Sequence, residues 1–302
     1  MSKMKCLGKR IIPAVLIVLL TAASSVCAFG ASGRVAVAIP SFPVTLNELK
    51  FDDSDFAQYP LLSYRDITYF PMTYYQSGLL NLHTSWTAEG GLVITKGNPA
   101  TPKEFFYETP AAGRNGKTQT ATILNSKVTV NGKLIDNGAE PYPLLLFRNI
   151  TYFPLTWRFA VEEFAWDYAF DNEAGLRIRA DNFFYTRNSN YYPNDPWHNI
   201  DNETYYVKGD LCIYINTEFV RLLGPVGQNL HIIKNGVETR PDGFFAYDYE
   251  PQPDGSAAYS KKNAPLFTVD GNFIRTTRYT DPDAKNPRPC RVNIETGGVL
   301  AE

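Results

Sequence analysis

Tyr59-Pro60-Leu61-Leu62-Ser63-Tyr64-Arg65-Asp66-Ile67-Thr68-Tyr69-Phe70-Pro71-Met72-Thr73 returns later in the chain as Tyr142-Pro143-Leu144-Leu145-Leu146-Phe147-Arg148-Asn149-Ile150-Thr151-Tyr152-Phe153-Pro154-Leu155-Thr156. Eleven of these fifteen positions are identical, at an offset of 83 residues. Upstream, Val44-Thr45-Leu46-Asn47 matches Val128-Thr129-Val130-Asn131, and downstream Gly91-Leu92-Val93-Ile94 matches Gly175-Leu176-Arg177-Ile178, both at an offset of 84. A fixed period of this kind is the mark of a repeated structural unit. The units run over 42–97 and 126–180.

The second unit reads element by element. Val128-Thr129-Val130 alternates as a strand, Asn131-Gly132 is a hairpin turn pair, and Lys133-Leu134-Ile135 is the return strand. Leu144 to Phe147 and Ile150 to Phe153 form a second hairpin around Arg148-Asn149. Pro154 suits the first position of a helix, whose N–H has no partner there in any case. Leu155, Phe159, Ala160 and Phe164 then follow at helical spacing, and the helix ends near Ala165-Trp166. Tyr168 to Phe170 and Leu176 to Ile178 make a last hairpin. In the first unit Pro71 opens the helix, Gly78 weakens it, and Trp86 stands where Phe170 stands. This pattern predicts an α+β fold: two small repeats, each an antiparallel sheet packed on one helix, followed by a β-rich C-terminal domain.

A hairpin with Asn-Gly, then Tyr-Pro, then Thr-Tyr-Phe-Pro-Leu leading into a helix, then a final hairpin, resembles the stalk domain of secreted bacterial proteins. That domain is named after the N-terminal domain of copper amine oxidases. Members typically carry it in tandem behind a signal peptide. The resemblance implies a structural or interaction role at the cell envelope. It does not imply copper, because the oxidase chemistry and its His ligands belong to a separate domain.

Residues 1–28 read as such a signal peptide. Lys3, Lys5, Lys9 and Arg10 precede an apolar run from Ile11 to Ala23, and Val26-Cys27-Ala28 offers small residues for cleavage. The competing readings are an uncleaved anchor and a lipid anchor on Cys27. Removing four positive charges from a net charge of -2 leaves the remainder near -6. It has no electrostatic reason to coat an anionic surface, and no basic stripe for nucleic acid. No other apolar run is long enough for a membrane span, so the mature chain is expected to have none. The expected location is secreted or extracellular. Cys212 and Cys290 then remain, either bridged by one disulfide or as two free thiols.

Residues 98–125 read as a linker, 181–207 as an aromatic-rich linker and 208–302 as the β-rich domain, with hairpin turns at Asn235-Gly236 and Asp270-Gly271. Only three His are present: His83, His198 and His231. The chain contains no nucleophile elbow, P-loop, His-Glu-x-x-His or Cys-x-x-Cys motif, so neither a cofactor nor a metal is expected. His198 beside Trp197, Asn199, Asp201, Asn202 and Glu203 lacks the spacing and central Gly of a calcium loop. Glu162 and Glu163 are helix neighbours that cannot face one bond together. Arg65 and Arg148 occupy the same turn in both units and read as sheet-edge caps.

The strongest binding candidates are Tyr185, Tyr191, Tyr192 and Trp197, in a segment that also holds Phe183, Phe184, Tyr205 and Tyr206. Their rings either stack on sugars of a cell-wall polymer or pack the junction with the C-terminal domain. The expectation is a non-enzymatic envelope protein whose partner is a wall polymer or another envelope protein. The alternatives are a glycan-binding module using 183–206 and a hydrolase with its acids on the C-terminal sheet.

Overall fold

The computed structural model describes residues 33–51, 56–107, 115–188, 203–220, 224–245, 249–251, 257–259, 265–279 and 288–302. The first repeat runs through β1 (Arg34–Ala38), β2 (Val44–Leu46), β3 (Leu49–Phe51), β4 (Leu62–Tyr64), β5 (Ile67–Pro71), α1 (Tyr74–Leu79), β6 (Leu82–Thr87) and β7 (Gly91–Lys96). After β8 (Lys103–Tyr107), the second repeats that order. It has β9 (Thr118–Ile123), β10 (Val128–Val130), β11 (Lys133–Leu134), β12 (Leu145–Phe147), β13 (Ile150–Pro154), a π-helical segment Trp157–Glu163, β14 (Asp167–Asp171) and β15 (Gly175–Arg179).

The two repeats do not fold side by side. Strands β1-β4-β5-β13-β12-β9 close into one six-stranded barrel, three strands from each repeat. The joints lie between equivalent strands: Ala36 pairs with Thr120 in β1–β9, and Phe70 with Phe153 in β5–β13. Each of these residues faces its own repeat equivalent, the signature of a twofold relation. The outer hairpins are exchanged. In the sheet β11-β10-β7-β6, second-repeat β10 runs parallel to first-repeat β7; in β14-β15-β2-β3, first-repeat β2 runs parallel to second-repeat β15. Val128 pairs with Leu92 and Leu176 with Val44, again an equivalent pair of pairs.

The polar details repeat the exchange. Leu92 N–H donates to the Lys127 carbonyl at 3.0 Å, and Leu176 N–H to the Pro43 carbonyl at 2.9 Å. Gly91 and Gly175 sit at these crossings with φ of 70° and 77°. A Cβ on either would run into the same Lys127 or Pro43 carbonyl oxygen, so only glycine permits the approach. Asn47 and Asn131 hold the left-handed first turn position, each with φ 49°. Asn47 Nδ2 donates to the Leu79 carbonyl while its Oδ1 accepts from Ala180 N–H, and Asn131 does the same with Glu163 and Lys96. Arg148 reaches out of its repeat to the Ala57 and Gln58 carbonyls, and Arg65 to the Pro141 carbonyl. The turn arginines therefore clasp the opposite repeat rather than cap a sheet edge.

The α+β expectation is overturned. The described residues are mostly strand, with two helical segments of six and seven residues. Pro71 and Pro154 close strands instead of opening helices, and Thr73 and Thr156 are the N-caps. Asn81 and Ala165, at φ 60° and 57°, turn the chain into the next strand. The barrel shares a cluster of Val37, Leu62, Tyr69, Ala121, Leu145, Phe147 and Tyr152. Phe70, Phe153, Leu155, Phe159, Phe164 and Trp166 belong to the larger core beneath the exchanged sheets.

The C-terminal part is a sandwich. Its strands are β16 (Asn182–Asn188), β17 (Glu203–Lys208), β18 (Leu211–Val220), β19 (Gly224–Lys234), β20 (Val237–Thr239), β21 (Phe244–Phe245), β22 (Tyr249–Pro251), β23 (Ala257–Tyr259), β24 (Thr268–Asp270), β25 (Phe273–Tyr279), β26 (Arg288–Asn293) and β27 (Val299–Ala301). A sheet β20-β19-β18-β17-β16-β8 packs on β21-β25-β26-β27 through Phe183, Ile213, Ile232, Phe245, Ile274 and Val292. β8, from between the repeats, supplies its edge strand, parallel to β16. On that sheet's other face Phe105, Phe184 and Tyr205 pack with Leu79 of α1. Gly78 leaves the space Phe105 fills. Asn182 is buried there and donates to the Gly78 and Leu79 carbonyls at 2.9 Å each.

Candidate functional site

Strand alternation divides the aromatic-rich segment between two faces. Phe184 and Tyr205 face the repeats; Phe183 and Tyr206 face the sandwich. Phe183 is buried on the sandwich side, whereas Phe184 and Tyr205 are buried in the junction with the repeats. The junction rings continue into a ladder across the sheet: Phe105, Phe184, Tyr205, Tyr214 and His231, with centroids 5.6, 5.0, 5.6 and 4.3 Å apart. Tyr185 is half-buried, its hydroxyl 3.4 Å from Glu104 Oε2 on the paired strand. Tyr191, Tyr192, Trp197 and His198 lie outside the described residues.

Tyr206 opens onto a cleft of about 400 Å³ between the β7–β8 connection and the sandwich. Pro99, Ala100 and Pro102 form one wall, and Asp181, Phe183, Tyr206, Lys208 and Val269 lie opposite. Asn98 folds the first wall by accepting from Ala100 N–H at 3.0 Å. Phe183 meets Tyr206 edge-on at 5.5 Å and fixes that ring. Burial, and then the Asp181 carboxylate, hold the Tyr206 phenol above its usual range, so its hydroxyl stays a neutral donor. An apolar wall with a carboxylate, an amine and a phenol at the mouth suits a sugar ring or a small polar ligand.

A second set of aromatics is exposed on the repeats and comes in equivalent pairs. Tyr74 and Trp157 begin the two helical segments and are 63% and 65% exposed. Trp86 and Phe170 stand on β6 and β14, the edge strands of the two exchanged sheets, 66% and 56% exposed. The repeat alignment pairs Trp86 with Phe170, but only the structure shows which rings face solvent.

His231 is buried on β19, with Nδ1 2.6 Å from Glu238 Oε1 on β20 and its ring stacked on Tyr214. Arg240, and then His231, hold the Glu238 carboxyl below its usual range. Among the described residues no three His, Cys, Asp or Glu side chains gather as a metal site. The Cys212–Cys290 disulfide is not formed. Both are buried free thiols, on β18 and β26. Burial pushes Cys212 up to about 12 and Cys290 to about 11. Among the described residues no helix is long and apolar enough to cross a membrane. No family model, curated protein or solved structure matches the chain.

Proposed function

We propose that this is an exported, non-enzymatic bacterial envelope protein whose interlocked stalk-type repeats hold a repetitive wall polymer and carry a β-sandwich. The observation that carries the reading is the pairing of exposed rings by the repeat: Tyr74 with Trp157 and Trp86 with Phe170. Flat aromatic rings with one face in water are suited to stack on sugar faces. Two equivalent sets on one body engage two segments of one polymer, which multiplies weak single contacts. The resemblance of both repeats to envelope stalk domains and the leader-like residues 1–28 support the setting.

Sedimentation with purified peptidoglycan and wall polysaccharide tests it. The wild-type protein is expected in the pellet, and the Trp86→Ala/Trp157→Ala double variant is expected to lose at least about tenfold in retention. Equal retention of both proteins, or none of either, defeats the reading. The cleft favours a second location for the sugar, at Tyr206. If Tyr206→Ala releases the polymer and the Trp variants do not, the glycan sits there instead.

A further inference from the structure

Gly97 ends the first repeat, and three polar side chains converge on the space its missing side chain leaves: Lys103 Nζ, Asn81 Oδ1 and His83 Nε2. Asn81 sits between α1 and β6, His83 lies on β6, and Lys103 opens β8. The Asn81 side chain is buried and held in one orientation. Its Nδ2 donates to the Gly97 carbonyl at 3.1 Å, Gly97 N–H donates to the Asn81 carbonyl at 2.8 Å, and Lys103 Nζ donates to Asn81 Oδ1. An amine is thus fixed against one amide carbonyl, with an imidazole beside both.

We propose that Lys103 and Asn81 join in an intramolecular amide bond, with His83 moving the proton. The free-base Nζ attacks Asn81 Cγ and forms the new C–N bond. The Cγ–Nδ2 bond then breaks, and Nδ2 leaves as ammonia. His83 Nε2 takes the proton from the attacking nitrogen and hands it to the departing one. Nothing is oxidised or reduced, and no co-reactant is needed. Holding the two groups in contact supplies the effective concentration that ordinary lysine and asparagine lack.

The ionisation of the groups agrees with this chemistry. Burial brings the Lys103 ammonium down from 10.5 to about 8, so a useful fraction is the nucleophilic amine at neutral pH. Burial, and then the nearby Lys103 charge, lower His83 as well and keep its imidazole neutral and able to accept a proton. The bond would tie the start of β6 to β8, the strand that the repeats lend to the C-terminal sheet. It would therefore staple the two halves of the molecule across the loop 81–103.

Peptide mapping of the purified full chain by mass spectrometry decides the matter. The expected product is a branched peptide joining the Asn81 and Lys103 peptides, lighter than their sum by one ammonia, with no tryptic cleavage after Lys103. It is expected to be absent from Lys103→Arg and Asn81→Ala. His83→Gln is expected to slow its formation by about 100-fold or more. Recovery of only the two linear peptides from the wild-type protein overturns the proposal. Undiminished bond formation in His83→Gln overturns the role given to the imidazole. Neither result bears on polymer binding, which is read from different residues.

Discussion

Single residues decide whether the repeats can cross. Gly91 and Gly175 combine a left-handed backbone with a carbonyl oxygen packed where a Cβ would be. A methyl group there both strains φ and pushes the partner repeat away. Gly175→Ala is expected to destabilise the protein by about 1–3 kcal/mol from backbone strain, with the clash adding to it. Gly91→Ala should cost a similar amount, because its surroundings are equivalent. Gly132, also left-handed at φ 80°, faces open space, so Gly132→Ala should cost less than either. Chemical denaturation of the three variants checks the order. A Gly132 variant as weak as the other two would show that strain alone, not the crossing, sets the cost.

At the level of elements, the strands were readable and their partners were not. Val128-Thr129-Val130 and Asn131-Gly132 announce a hairpin, and β10 and β11 form one. Alternation says which side chains are buried, but not against which strand, and β10 takes its other partner from the opposite repeat. Pro154 misled because proline serves equally as the first residue of a helix and the last of a strand; the next strand along the barrel, β5, settled it. The aromatic segment reads as a linker whose rings either stack on sugars or pack a junction; the strands β16 and β17 that replace that linker, and the burial of Phe184 and Tyr205 on one face, come only from the structure. The exposed rings of Tyr74 and Trp157 were not legible either, because a helix of one or two turns has no clear apolar stripe. Cys212 and Cys290 illustrate burial without bonding. Their folded values lie above the ordinary 9.0, so the folded state keeps protons that the unfolded chain releases. The stability tied to these thiols is full below about pH 9 and drains away as pH rises toward 11–12. Both thiols are expected to resist an aromatic disulfide reagent at pH 8 until denaturant is added. Stoichiometric reaction of the native protein would contradict their burial.

For the molecule as a whole, the exchange makes the repeats one cooperative body. Leu176, only 3% exposed, belongs to the second repeat but pairs with Val44 of the first. Leu176→Ala is expected to cost about 2–5 kcal/mol. Its effect should appear in hydrogen exchange at β2 and β3 as strongly as at β14 and β15. Acceleration confined to the second repeat would mean that the repeats unfold independently. The reach of Arg65 and Arg148 into the opposite repeat, and the Ala180 and Lys96 N–H groups that donate across to Asn47 and Asn131, argue that they do not.

The exchanged hairpins also govern the order in which the chain can mature. As it leaves the ribosome, β2 and β3 appear early, yet the strand that completes their sheet is β15, made after nearly all of both repeats. Until then β2 presents an unpaired edge, and the barrel waits for β9, β12 and β13. Pairings so distant along the chain slow folding, and open strand edges invite association with other chains. A nascent first repeat therefore has a ready wrong partner: the second repeat of a neighbouring chain offers the same contacts. Dilute, unhurried synthesis favours the monomer, and crowding of nascent chains favours swapped dimers.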